Sequence, residues 1–378
     1  MRLPDLLCLL GLLCTCAPRP PAPTTAPLST RTAAVATLTV FPGEEWQYAD
    51  PQTLGIDPQA LDSALAYLKT HCKDDGLEEV MIIRHGKVAW AGDSITKVHD
   101  IWSCTKSFTS AAAGMMIEEG LIGIDQPVAN HEPRLRQLYP EATYRHFLTM
   151  TSGYDAEGDS RWGEPSQDWS LTPYQPTTPL FPPGSAYTYW DEAMIMLGRA
   201  MTQAAGVSLN DYLDERLFQK VGIAKREWWG EGYVSDSVKI NFGGTGLKMS
   251  AQEQARLGLL YLNHGNWDGD QLIDSNWVAA SITNQVSPTL ALGDTDRADT
   301  DGRGIYGYNW WVIPATDEHP AAAYTSGLNH NVCMIVPEWD MAVVRMGVDG
   351  NPEAGKQMVY SDFLQLVGGG VAPQRTQR

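Results

Sequence analysis

Basic residues are scarce in this chain. Its 378 residues carry 27 Lys and Arg against 45 Asp and Glu, a formal net charge of −18. A nucleic-acid binder presents a basic face, so that class is excluded. Anionic membrane surfaces are disfavoured for the same reason. Long apolar runs are missing too. The run from Leu6 to Leu13 (LLCLLGLL) falls well short of the about 20 residues that span a bilayer. Cysteine is sparse: of six, Cys8, Cys14 and Cys16 lie near the start, leaving Cys72, Cys104 and Cys333. Their spacing fits no zinc or redox motif, so buried thiols are expected. No H-E-x-x-H, P-loop, G-x-S-x-G or dinucleotide fingerprint occurs, and neither a metal nor a cofactor is expected.

What remains is an ordinary globular balance, 43% hydrophobic and 19% charged, long enough for two folding units or one large two-lobed one. Residues 1–16 read as a signal peptide with a short apolar core after Arg2. Leu13-Cys14-Thr15-Cys16 resembles a lipoprotein cleavage site, with Cys16 as the lipidated residue and a membrane tether. The protein is therefore expected to be exported, periplasmic or extracellular. Residues 17–40, rich in Pro, Ala and Thr, read as a flexible linker. Beyond it, Pro58 to Cys72 has helical spacing, and Glu79 to Ala91 reads as two strands around Arg84-His85-Gly86-Lys87. Trp102 to Glu119 is the best helix, ended by Gly120. From about 125 to 235 the text is helical, broken by Pro and Gly, without a strand run. Helices follow at Ala251 to His264, near Asn276 and at Gly355 to Val367. Apolar runs at Gly307–Ile313, Asn331–Val336 and Met341–Val348 read as strands, the last two joined through Pro337-Glu338-Trp339-Asp340. Strands at both ends around a helical block predict an α+β layered domain over 41–370 with an inserted all-α part.

One constellation carries chemistry. Ser103-Cys104-Thr105-Lys106 opens the strongest helix, where i and i+3 share a face. A buried Lys amine can then take the proton that keeps a Ser hydroxyl a poor nucleophile. The helix N-terminus also points N–H groups at a developing oxyanion. The bland alternative is an N-cap serine and an exposed lysine. Ser94-Ile95-Thr96-Lys97 has the same spacing outside a helix, where the two ends do not face one another. Cys104 is expected to pack under the helix, and His146 to be a structural hydrogen-bonder. His330 could face the cleft. Trp228-Trp229 and Trp310-Trp311 could be a substrate platform or core packing.

The context of Ser103 is more specific than the spacing. Ile101-Trp102 precedes it. Glu119-Gly120-Leu121-Ile122-Gly123-Ile124-Asp125, Tyr144 to Gly153, Pro183-Gly184-Ser185 to Tyr189, and Gly243-Gly244-Thr245-Gly246-Leu247-Lys248-Met249-Ser250 follow in order. This ordered set, over about residues 50 to 365, resembles the serine β-lactamase and penicillin-binding family, in its class C-like branch. The resemblance implies a β-lactamase/transpeptidase-like fold, with an antiparallel sheet flanked by helices. It implies Ser103 as nucleophile, with Lys106 and Tyr189 moving protons. Asp191 stands where the family has Asn, and would set a carboxylate beside Lys106. The third motif falls on Thr325-Ser326-Gly327, without the family's basic residue. Gly327 would let a bound acyl group approach the strand, and the N–H of Leu328 would join that of Ser103 as oxyanion donor. The expected function is a serine hydrolase acting through an acyl-enzyme on small neutral esters or amides. A cell-wall carboxypeptidase with a peptide substrate, a β-lactamase and a catalytically silent binding relative stay open.

Overall fold

The strand signals at the two ends of the chain converge on one sheet. The computed structural model describes residues 39–72, 76–158, 170–235, 237–293, 300–349 and 356–372. The expected leader with Cys16, and the linker up to residue 38, lie outside the described residues. Helix α1 (Pro58–His71) precedes β1 (Glu79–Arg84) and β2 (Lys87–Ala91). A short β3 (His99–Asp100) leads through one 3-10 turn, Trp102–Cys104, into α2 (Thr105–Glu118). Then come α3 (Asp191–Ala205), β4 (Lys248–Met249), α4 (Ala251–Leu262) and four strands, β5 (Trp311–Ile313), β6 (Ala322–Gly327), β7 (Asn331–Val336) and β8 (Met341–Met346). Helix α5 (Lys356–Gly368) follows.

The main sheet has the order β2-β1-β8-β7-β6-β5, and every neighbouring pair is antiparallel. His85 and Gly86 both take positive φ in the β1–β2 turn, 55° and 75°, matching the right-handed twist of the flanking strands. A Cβ at Gly86 would lie 1.8 Å from the carbonyl oxygen of Val40, so no other residue fits. Both faces of the sheet are covered. Val80, Ile82, Val332, Met334 and Val343 pack with Leu61, Leu65 and Leu68 of α1 and Tyr360 and Phe363 of α5. Met81, Ile83, Cys333, Ile335 and Val344 face the other way, with Phe108 and Ala112 of α2 and Leu257 and Leu260 of α4. That double burial explains why β1, β7 and β8 read as continuous apolar runs.

Two sequence expectations shift. The run at Gly307–Ile313 yields a strand only from Trp311, because Asn309 turns the chain at φ 58°. Strand β6 shows no apolar run in the sequence, and only the third motif of the resemblance points to a strand there. Its text, Ala-Ala-Tyr-Thr-Ser-Gly, has weak β-propensity, and pairing with β5 and β7 overrides it. The helical block shares its main core with the sheet, with a small separate cluster at Ile195 and Phe242. Its Phe147, Leu148, Met194, Leu197 and Phe218 join Phe108, Leu257 and Ile335 in one cluster. Among the block's described residues, helices alternate with long loops, and a two-residue strand, Ala186–Tyr187, pairs in parallel with Ala291–Leu292.

One buried cation ties the stretches just before α1 and just after α5 to the sheet. Arg84 is 1% exposed. Its Nε donates to the carbonyl of Trp339 at 2.9 Å, and its terminal nitrogens donate to Leu54 at 2.9 Å, Gly55 at 2.8 Å and Ala372 at 2.6 Å. Hydrogen bonds to charged groups contribute about 1.5–3 kcal/mol each, and they are not additive. Arg84→Met should therefore lower the unfolding free energy by about 3 kcal/mol or more. A urea titration checks this, with unchanged specific activity of the folded fraction.

Candidate active site

The short β3–β4 pair sets the approach to Ser103. Asp100 lies opposite Lys248, and the Ile101 N–H donates to the Leu247 carbonyl at 3.0 Å. Trp102 then takes a left-handed conformation, φ 50°, which a bulky residue adopts only under constraint. Ser103 follows, half-buried, on the one-turn helix that runs into α2. Residues Thr105 to Met116 are all buried, so α2 is a central helix rather than an amphipathic surface one.

Lys106 sits one turn beyond Ser103 and is 2% exposed. Its Nζ donates to Ser103 Oγ at 2.9 Å and to the Gly244 carbonyl at 3.0 Å, and forms an ion pair with Asp191 Oδ1. An ammonium has three protons, and these three acceptors take them all. The Tyr189 ring centroid lies 4.7 Å from Nζ. The structure thus brings Ser103, Lys106, Tyr189 and Asp191 together, and excludes the exposed-lysine alternative. Ser94 and Lys97 lie in a turn instead, with Lys97 exposed and paired to Glu79 at 3.2 Å.

Each partner is placed by its own element. Asp191 is in the first turn of α3, where the positive end of the helix favours a carboxylate. Its neighbour Glu192 is buried and accepts from the Ala156 and Ser170 N–H groups at 3.2 and 2.7 Å. Gly243 and Gly244 pass close to α3: a Cβ at Gly243 would lie 2.4 Å from the Met194 carbonyl oxygen. Thr109 Oγ1 of α2 donates to the Gly243 carbonyl at 2.7 Å. The Gly-Gly pair was visible as a motif, but its role as acceptor for Lys106 was not.

The end of β6 closes on the same turn. A Cβ at Gly327 would lie 2.3 Å from the Ile101 carbonyl oxygen and 3.2 Å from Cys104 Sγ. Gly327 is therefore required for backbone contact with the Ser103 turn. Ser326 is half-buried, and Leu328 is 57% exposed just past the strand. Thr325, which stands in the place of the family's third-motif base, points inward. It is fully buried, donates to Cys104 Sγ at 3.2 Å, and accepts from Gln254 Nε2 and the Cys333 N–H, both at 2.9 Å. Strand alternation sends it under the sheet.

The other candidates separate cleanly. Cys104 is buried, with Sγ 3.1 Å from the Asn331 carbonyl oxygen. His146 completes a capping box with Thr143, and burial and the nearby Arg145 hold its pKa below the usual histidine range. His330 is buried beside Tyr360, with ring centroids 6.5 Å apart, on the α5 face of the sheet rather than in the cleft. Each Trp pair divides: Trp228 and Trp310 are core. Trp229 meets Trp102 edge-on at 5.8 Å, and Trp311 lies 5.7 Å from Tyr189. Tyr306, which sequence reasoning did not single out, packs against both Tyr189 (6.2 Å) and Trp311 (5.0 Å). Among the described residues no group of three His, Cys, Asp or Glu is placed to hold a metal ion.

Two cations that could stand in for the missing third-motif base, Lys248 and Arg303, are each paired with a carboxylate. Lys248 pairs with Glu227 at 2.7 Å, and Arg303 pairs with Asp301 at 2.7 Å and donates to the Leu290 carbonyl at 2.8 Å.

Known proteins share this arrangement of elements. The chain is 21% identical over 308 residues to a 6-aminohexanoate-dimer hydrolase of Paenarthrobacter ureafaciens, covering 71% of this chain and 78% of that one. A solved structure of a Bacillus anthracis protein named for the same activity superposes with a TM-score of 0.63 at 20% identity, over 86% of this chain and 88% of the other. EstCE1, a hydrolase with promiscuous acyltransferase activity, superposes with a TM-score of 0.58 at 18% identity, over 83% and 99%. At these identities the structural likenesses speak for the fold. The family model described as Beta-lactamase matches residues 79–360, the greater part of the sequence and the whole span from β1 into α5. The chain belongs to the beta-lactamase family.

Proposed function

We propose that this protein is an exported serine hydrolase that cleaves neutral esters or amides through an acyl-enzyme. The observation that carries the reading is Lys106 Nζ, buried and 2.9 Å from Ser103 Oγ at the start of α2. Ser103 Oγ attacks the carbonyl carbon, and its proton passes through the Lys106–Tyr189 pair to the leaving group. Water then attacks the ester formed on Ser103, its proton returns by the same pair, and the acid leaves. The N–H groups of Ser103 and Leu328 stabilise the oxyanion, with Ser326 and Gly327 lining the acyl side. The tether through Cys16 and a place outside the cytoplasm belong to the same reading.

Three results test it. Ser103→Ala should fold normally and lose several orders of magnitude in turnover, as nucleophile removal does elsewhere. Ser94→Ala should change little. Mass spectrometry after a fluorophosphonate probe should place the adduct on Ser103, and undiminished turnover in Ser103→Ala would sink the assignment.

A lysine whose three donors are already committed is a poor proton acceptor unless a neighbour relays the proton. Tyr189 is the group beside it. Tyr189→Phe should therefore reduce kcat nearly as much as Lys106→Ala. Asp191→Asn keeps an acceptor oxygen for Lys106 and should retain more activity than either. Steady-state kinetics on one ester decides; near-normal kcat in Tyr189→Phe would overturn the relay.

Substrate charge gives a further test. Thr325 is buried, and both Lys248 and Arg303 are paired with carboxylates. A substrate carboxylate thus loses a charge-assisted hydrogen bond of about 1.5–3 kcal/mol, roughly 10- to 150-fold. A neutral short-chain aryl ester should show the higher kcat/KM against a chromogenic cephalosporin. Equal or better turnover of the cephalosporin would show that another group receives the carboxylate.

A further inference from the structure

Asp100 belongs to none of the family's three motifs, yet it stands three residues before Ser103 at the hinge of its turn. Its Oδ1 accepts the Trp102 N–H at 2.6 Å. That bond spans Ile101 and anchors the amide of Trp102, the residue held at φ 50° where the chain turns from β3 into the helix carrying Ser103 and Lys106. The second oxygen, Oδ2, is buried and makes no hydrogen bond within the protein. A carboxylate so placed makes a strong, charge-assisted bond on one oxygen and is poorly stabilised on the other.

We propose that Asp100 is a positioning residue for the nucleophile: as an anion it holds the left-handed Trp102 turn that sets Ser103 against Lys106, and on protonation it lets that turn relax. The inference rests on the reading of Ser103 as nucleophile. Protonation removes the charge from the acceptor, and a charge-assisted bond is roughly twice as strong as a neutral one. Trp102 then keeps its strained conformation with less to hold it.

The surroundings place this change within reach of ordinary conditions. Burial pushes the Asp100 carboxyl up to about 6, and the Glu227 carboxylate pushes the same way. The Trp102 N–H, Lys248 and His99 pull it down. Lys248 faces it from β4 and is itself paired with Glu227; His99 precedes it on β3 and is bonded to Glu79 at 2.7 Å. Because the anion is the holding form, kcat should rise as pH climbs through about 6 and fall below it.

The test is the pH profile of kcat and KM for a neutral aryl ester, with the rate of fluorophosphonate labelling of Ser103 as a second readout. Asp100→Asn keeps the shape and an acceptor oxygen but cannot ionise. It should lower kcat about tenfold at pH 8, leave KM nearly unchanged, and erase the acid limb near pH 6. His99→Gln should keep that limb, since the imidazole is not its source, but move it slightly to higher pH because His99 pulls the Asp100 carboxyl down. Lys248→Met removes a surface cation without touching the turn, so it serves even if Asp100→Asn folds poorly. It should move the limb to higher pH by a few tenths of a unit. A folded Asp100→Asn protein with the wild-type acid limb, or a Lys248→Met limb that stays in place, overturns the proposal. If Ser103 labels normally in these variants, the nucleophile assignment survives that outcome; a wild-type enzyme that never labels at Ser103 removes both.

Discussion

A charged amine buried to 2% exposure dictates how this molecule is assembled around its site. An ammonium out of water is costly unless every proton meets an acceptor. The three acceptors of Lys106 come from three separate stretches: Ser103 from the turn ahead of α2, Asp191 from the start of α3, and the Gly244 carbonyl from the loop leading to β4. None of those stretches can move without leaving an N–H unmet. The helical block, the central helix and the glycine loop are thus coupled through one nitrogen. Met194 and Leu197 of α3 accordingly sit in one cluster with Phe108 of α2.

The same economy shows at the edges of the site. Gly327 brings the β6 backbone against Ile101, and Gly243 brings the loop backbone against α3. Both are close approaches that a Cβ would forbid. The strained Trp102 turn is the complement: it is held from outside by the Asp100 carboxylate, the Ile101–Leu247 bond and the β3–β4 pair. A position of serine that depends on so many separate contacts is well determined but has few spare interactions.

Much of this was legible in the sequence, and the reasons are physical. The Ser103–Lys106 pair lies within one helical turn, so local spacing predicts its geometry. The double burial of β1, β7 and β8 leaves continuous apolar runs that mark them as strands. Legibility failed where long-range contact decides. Strand β6 is held by its neighbours against its own propensity. Thr325 could be placed by motif, but which face of the strand it takes depends on register with Cys333. Gly244 serves through a carbonyl, which carries no side-chain signal. Asp100 acts on a backbone N–H two residues away, and a lone Asp before a hydrophobic dipeptide does not stand out.

Charge gives the last step. With 45 acidic residues against 27 basic ones, a substrate carboxylate approaches an unfavourable field unless a local cation receives it. Lys248, Arg303 and Arg145 each already face a carboxylate, at 2.7, 2.7 and 2.6 Å. Lys106 is committed within its cage. What flanks Tyr189 instead is aromatic: Tyr306 and Trp311, with Trp102 and Trp229 packed together beside Ser103. Tyr306 and Tyr189 are buried, so it is the half-buried Trp102, Trp229 and Trp311 that can offer apolar surface, and they have little to give an anion. For the acyl-enzyme reading proposed above, the paired cations and these aromatic faces both favour an uncharged acyl group.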